Sequence, residues 1–153
     1  AAGVGCSIAR VGDFVLAGKA GYFLQAFVNI GLVPDGGSTW ILPRLVGKAR
    51  ATRRMMLGEK IGADQAEAWG MIYKSVEDAE LEAETAALAA RLATGPTLSY
   101  ATMRKNILIA LENSLSDTLL AEAEGQRIAG SSADAAEGGL SFLQKRKPNF
   151  QGK

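Results

Sequence analysis

Histidine is absent from the sequence. Within this chain that excludes Ser-His and Cys-His catalysis and any histidine-ligated metal. Cysteine occurs once, at Cys6. No internal disulfide can form, which fits a reducing compartment, read here as the cytoplasm. Long apolar runs are also missing: none approaches the ~20 residues of a membrane span, and no signal peptide is seen. Nor is there an excess of either charge. Lys+Arg number 17 and Asp+Glu 16, a net charge of +1. Nothing in that balance calls for a nucleic acid or a membrane surface as partner. The chain opens Ala1-Ala2-Gly3-Val4-Gly5 with no Met, which reads like the middle of a domain and suggests a piece of a longer protein.

What is present is an ordinary globular composition. The 153 residues are 48% apolar and 22% charged, enough for one domain with a real core. Charge is unevenly spread. Residues 1–60 hold 8 basic and 3 acidic side chains, residues 61–130 hold 5 and 11, and residues 131–153 hold 4 and 2. Basic ends around an acidic middle suit a phosphorylated ligand, though helix surfaces often have this pattern.

The pattern predicts a small α/β front and a helical tail. Residues 4–12 read as a short buried helix with Ile8 and Val11 on its inner side. Phe14–Ala17 and Tyr22–Leu24 read as short buried strands. Helices follow over 48–57, stopped by Gly58, and 63–69, stopped by Gly70. Met71-Ile72-Tyr73 resembles a strand. Further helices are predicted over 79–93, with Leu81, Leu88 and Leu92 on one face, and from Pro96, a residue suited to a first helical turn. The next two begin at Ser114 and at Ser131 or Ser132 as caps. The last ends at Pro148. The Met103, Ile107, Leu108, Leu111 stripe reads as core, as do Trp40 and Trp69.

Three segments could carry chemistry. Pro34-Asp35-Gly36-Gly37 sets one carboxylate in a tight turn after the apolar run Phe27–Val33. Asp35 is either a solvated turn residue or a proton carrier whose desolvation raises its pKa. Gly3-Val4-Gly5 precedes the first helix. Its glycines serve close packing, or they let backbone N–H groups face a ligand oxygen. It is no dinucleotide fingerprint, because Ile8 stands where the third glycine would be. Arg44, Lys48, Arg50, Arg53 and Arg54 form a basic run, as do Lys145-Arg146-Lys147 with Phe142 at i−3 of Lys145. Each reads as a solvated helix face or as a phosphate contact.

Together, Ala2–Cys6, Asp13, Ala17, Gly31–Gly37, Leu42–Gly47, Gly58–Ile61, Ala66 with Trp69–Ile72, and Glu137–Arg146 resemble the enoyl-CoA hydratase/isomerase (crotonase) superfamily. The motifs keep family order along the whole chain. The resemblance implies an α/β fold, a crotonase-like (ClpP/crotonase) spiral of ββα units. Residues 1–78 would be the C-terminal part of the spiral core and residues 79–153 the helical trimerisation region. It implies an acyl-CoA thioester as substrate, with coenzyme A part of that substrate and no separate cofactor or metal. It also implies a homotrimer, or a hexamer made as a dimer of trimers.

The family mechanism holds a thioester carbonyl between two backbone N–H groups that stabilise an enolate. Here one donor would be the Val4 N–H in the Gly3–Gly5 turn, and the other lies upstream. The two glutamates of the hydratases fall at Ser7 and Phe27. Asp35 matches an aspartate that acts as acid/base in several isomerases. Phe27 and Pro34 would line the pocket, with Phe27, Val28 and Ile30 excluding water from Asp35. Phe142 and Lys145 would reach the adenine and 3′-phosphate of CoA in a neighbouring subunit. Within the superfamily, the Gly31–Gly36 run, Trp40–Arg44, Ala68–Ile72 and Pro148–Lys153 look most like the epoxyphenylacetyl-CoA isomerases of phenylacetate degradation. The resemblance also admits an enoyl-CoA hydratase, and a non-catalytic CoA-binding or assembly subunit.

Overall fold

The computed structural model describes all residues, 1–153. They form two compact units, Ala1–Thr85 and Ala86–Lys153. The division falls inside a helix, Leu81–Ala93. Lys74 holds Glu84 at 2.8 Å and so ties the first turn of that helix to the first unit.

In the first unit, α1 (Val4–Ala9) leads to β1 (Leu16–Gly18) and β2 (Tyr22–Leu24). A 3-10 turn (Ala26–Ile30) and α2 (Ser38–Val46) follow, then α3 (Lys48–Leu57), β3 (Lys60–Gly62), α4 (Ala63–Ala68) and β4 (Lys74–Val76). β1 pairs with β4 in parallel, with Leu16 opposite Lys74. β2 pairs with β3 antiparallel, with Phe23 opposite Ile61. Residues before α1 extend this second ladder: Ala2 bridges Leu24 in parallel, and Gly3 N–H donates to the Leu24 carbonyl at 2.9 Å. The start of α1 is therefore fixed to a strand edge. The core gathers Cys6, Phe23, Leu42, Val46, Ala51, Ile61, Ala66, Met71 and Ile72.

The second unit contains most of α5 (Leu81–Ala93), then α6 (Thr97–Ala110), α7 (Leu115–Gly130) and α8 (Ala133–Leu143). Ser114 accepts the Asp117 N–H while Asp117 returns a bond to the Ser114 N–H, a reciprocal cap. Ser132 caps α8 by accepting the Ala135 N–H. α6 and α7 pack closely at Gly125, where an added Cβ would lie 2.8 Å from Thr102 Cγ2. Within α8, Glu137 takes two bonds from the guanidinium of Arg146, which lies beyond the helix, at 2.6 and 2.8 Å, and one from the Asn149 N–H at 2.8 Å.

Those bonds, Arg146 first and Asn149 second, hold the Glu137 pKa down to about 2 from the ordinary 4.5. A lowered folded-state pKa stabilises above the unfolded value, and that gain is lost as pH falls through the folded one. The melting temperature should therefore fall between about pH 4.5 and pH 2. Glu137→Gln should flatten that part of the profile in an acid titration followed by circular dichroism. An unchanged profile would remove Glu137 from the account.

Several sequence expectations are corrected. In α1 the buried side chains are Cys6 and Ser7, while Ile8 and Val11 are exposed. The helix turns Cys6 into the core and Ser7 into polar contacts, and leaves the expected Ile8–Val11 side outward. Met71-Ile72-Tyr73 forms bends, and the strand is Lys74–Val76, because Lys74–Val76 lies in register with β1. Tyr73 instead meets Phe14 edge-on, at 5.1 Å between ring centroids. β3 was not anticipated. Trp40 is exposed, with the Arg44 guanidinium 3.9 Å above its ring.

The basic run is not one solvated face. Arg54 is buried and donates to the carbonyls of Lys60 and Phe23, and burial lowers its pKa. The Met103, Ile107, Leu108, Leu111 stripe is exposed, as are Leu115, Leu119, Leu120, Leu140, Phe142 and Leu143. α8 ends at Leu143, well before Pro148. Lys145 adopts φ 53°. Its N–H returns to the Phe142 carbonyl and the Arg146 N–H to the Ser141 carbonyl, a Schellman closure. Lys145 thus lies outside the helix, and the expected i, i+3 helical pairing with Phe142 is not formed.

Candidate active site

The chain brings the Gly3–Gly5 turn and the Pro34–Gly37 turn together. Cys6 N–H and Ser7 N–H turn back to the Gly3 carbonyl. As the first groups of a helix, the Val4 and Gly5 N–H groups have no intrahelical acceptor. Both residues are exposed. Across from them Gly36 adopts φ +57°, and an added Cβ there would lie 2.9 Å from Ser7 Cβ and 3.4 Å from Val4 Cγ2. The turn that carries Asp35 is therefore packed against the side chains of Ser7 and Val4 in α1.

The Asp35 carbonyl accepts the Ser38 N–H at 3.1 Å and the Ser7 hydroxyl at 3.0 Å. This leaves its carboxylate free of the turn's own bonding. Asp35 itself is exposed. Of the three residues expected to exclude water, only Phe27 is buried; Val28 and Ile30 are exposed. The Ala26–Ile30 turn is a 3-10 helix, too short to turn all three inward. Pro34 is half-buried.

Beneath the two turns lies a polar cluster that sequence reasoning missed. Ser7, Arg10, Gln25 and Ser38 are all at most 5% exposed. Arg10 Nε donates to the Cys6 carbonyl and Nη2 to Ser38 Oγ, each at 2.8 Å. Gln25 Nε2 donates to Ser38 Oγ at 3.1 Å, and the two serine oxygens are 2.5 Å apart. Arg10 Nη1 and Gln25 Oε1 are buried without a partner. Burial lowers the Arg10 pKa. The signal was present in part: Ser7 in α1 and Arg10 at its C-cap are three apart, hence on one face.

Phe142 and Lys145 belong to the second unit, Ala86–Lys153. No group of three or more Cys, Asp or Glu side chains comes together as a metal site. No helix is long and apolar enough to cross a membrane.

Two adjoining turns, one presenting free backbone N–H groups and one a carboxylate, define a candidate acid/base site on an α/β scaffold. The enoyl-CoA hydratase/isomerase family model matches residues 1–153, and the chain belongs to that family. Its fold is that of the crystal structure of an enoyl-CoA hydratase from Polaromonas sp. JS666. The TM-score is 0.94 at 31% identity, covering 99% of this chain and 59% of that one. The chain is 44% identical to 1,2-epoxyphenylacetyl-CoA isomerase of Escherichia coli over all 153 residues, which are 58% of that protein. It is equally identical, 44%, to a protein of Rhodobacter capsulatus named "Probable enoyl-CoA hydratase", of which it covers 60%. The chain thus spans somewhat over half the length of these relatives, and its fold is the C-terminal portion of the crotonase fold.

Proposed function

We propose that the full-length protein is an acyl-CoA isomerase. Asp35 moves a proton on a CoA thioester, and the Val4 N–H supplies half of an oxyanion hole. The observation that carries this reading is the approach of the Asp35 turn to the start of α1, set by Gly36 against Ser7 and Val4. A hydratase of the usual kind needs two carboxylates to place and activate water. The two positions where the family carries them hold Ser7 and Phe27, both buried. A single base that takes a proton at one carbon and returns it at another needs only one. Gly5 would stand beside Val4 at the hole, and Gly3, Phe27 and Pro34 would shape the pocket.

The substrate class we favour is a ring-epoxide or enoyl CoA ester of phenylacetate degradation, in keeping with the named Escherichia coli relative. We place the protein in the cytoplasm as a homotrimer or a dimer of trimers. The exposed apolar residues of α6 to α8 would be covered between copies. Phe142, 83% exposed, and Lys145 would meet the CoA nucleotide of a neighbouring subunit.

One observation favours a second reading. Asp35 is open to water, and a 44% identical relative carries a hydratase name. The two readings separate in D₂O, with 3-enoyl-CoA and 2-enoyl-CoA offered in turn and products read by mass. Double-bond migration with deuterium entering the acyl chain, and no gain of water, is the expected result. Addition of one water to 2-enoyl-CoA would establish the hydratase instead. Binding without turnover would leave a CoA-binding assembly subunit. Light scattering on the same preparation should give three or six protomer masses.

A further inference from the structure

The turn that carries Asp35 is held from beneath by a chain of hydrogen bonds with one consistent direction. Ser7 has a single hydroxyl proton, and it goes to the Asp35 carbonyl at 3.0 Å. The 2.5 Å contact between Ser7 and Ser38 must therefore use the Ser38 proton. Both acceptor directions of Ser38 Oγ are then taken by Arg10 Nη2 and Gln25 Nε2. A hydroxyl has one donor and two acceptor positions, so Ser38 is fully used. The order runs from Arg10 to Ser38 to Ser7 to Asp35.

This chain is an expensive way to hold a fold. Arg10 is 5% exposed, and its hydrogen bonds go to a carbonyl and a hydroxyl, neither of which is a counter-charge. A buried charge without a paired partner is costly, and an apolar residue of similar volume would often serve stability as well. What the cation adds is direction. A charged donor strengthens its own bond, and each bond polarises the next in a dry interior. The far end of the chain is the peptide between Asp35 and Gly36. Its carbonyl is where the turn is joined to Ser7 of α1, so a rotation there would shift the Asp35 turn relative to that helix.

We propose that Ser7, oriented by Ser38 and Arg10 beneath it, is a positioning residue that sets the Asp35 turn against the start of α1. The inference rests on the reading of Asp35 as the acid/base group. Under it Ser7 has a task of its own, joining the helix that offers the N–H groups to the turn that offers the carboxylate.

The test uses Ser7→Ala in the full-length protein, alone and combined with Asp35→Asn, with kcat and KM measured on an enoyl-CoA. Ser7→Ala removes one oxygen from a closely packed site. It should lower kcat about tenfold and leave KM unchanged. In the Asp35→Asn background it should cause no further loss, because its effect runs through that carboxylate. A merely structural role would lower the residual rate in both backgrounds by the same factor, and that result overturns the proposal. So does an unchanged kcat in Ser7→Ala alone. If Asp35→Asn itself keeps the native kcat, the acid/base reading has failed first, and the proposal falls with it. Should Ser7→Ala not fold, Ser38→Ala breaks the next bond and is read by the same criteria.

Discussion

Asp35→Asn in the full-length protein is expected to bind acyl-CoA as the native protein does and to lose at least about 10²-fold in kcat. The amide has the shape of the carboxylate but cannot accept and return a proton. The substitution should be quiet structurally. The bonds that hold the turn go to the Asp35 carbonyl, from Ser7 and Ser38, and an exposed side chain at that position supports no core. Melting temperature and CoA affinity should therefore stay near native values while turnover falls. Isotope exchange in D₂O should fall with it, since the same group would carry both the outgoing and the incoming proton. Native turnover in Asp35→Asn would reject the acid/base role, and a large rise in KM alone would turn Asp35 into a binding residue.

The sequence allowed the turns to be found but not what lies under them. Pro34-Asp35-Gly36-Gly37 declares itself because Pro and Gly restrict or free the backbone locally, and Ser114 announces a helix start for the same local reason. The helix over 48–57 was legible from its glycine boundary. The buried cluster was not, because its bonds join residues 13 to 31 positions apart. Arg10, Gln25 and Ser38 each look like surface residues until α1, the segment after β2 and the start of α2 converge. Periodicity misled at Ile8, Val11 and the Met103–Leu111 stripe, since an apolar stripe states only that something should cover it. Nothing within this chain does so. The strands were hard for another reason: β3 and β4 have three residues each, too few for alternation to show, and their existence depends on register with β2 and β1.

Gly36→Ala is expected to lose about as much turnover as Asp35→Asn although the carboxylate stays in place. Two penalties combine at this position. Gly36 has φ +57°, a conformation that costs an L-residue about 1–2 kcal/mol. Its new Cβ would also lie 2.9 Å from Ser7 Cβ. Ser7 cannot retreat, because it is fully buried and bonded both to Ser38 and to the Asp35 carbonyl. The turn must move instead and take Asp35 with it, and a displacement of about 1 Å can cost on the order of 10²-fold in rate. Stability should fall by about 1–3 kcal/mol, as for other overpacked sites. Gly31→Ala separates the two penalties. Gly31 has φ +72° but nothing within 4 Å of an added Cβ, so that variant bears the backbone strain without the clash. Denaturant melts should show both variants destabilised, and kcat should fall only in Gly36→Ala. An equal loss of kcat in both would mean that strain in the loop sets the rate. The contact between the Asp35 turn and α1 would then not be what positions the acid.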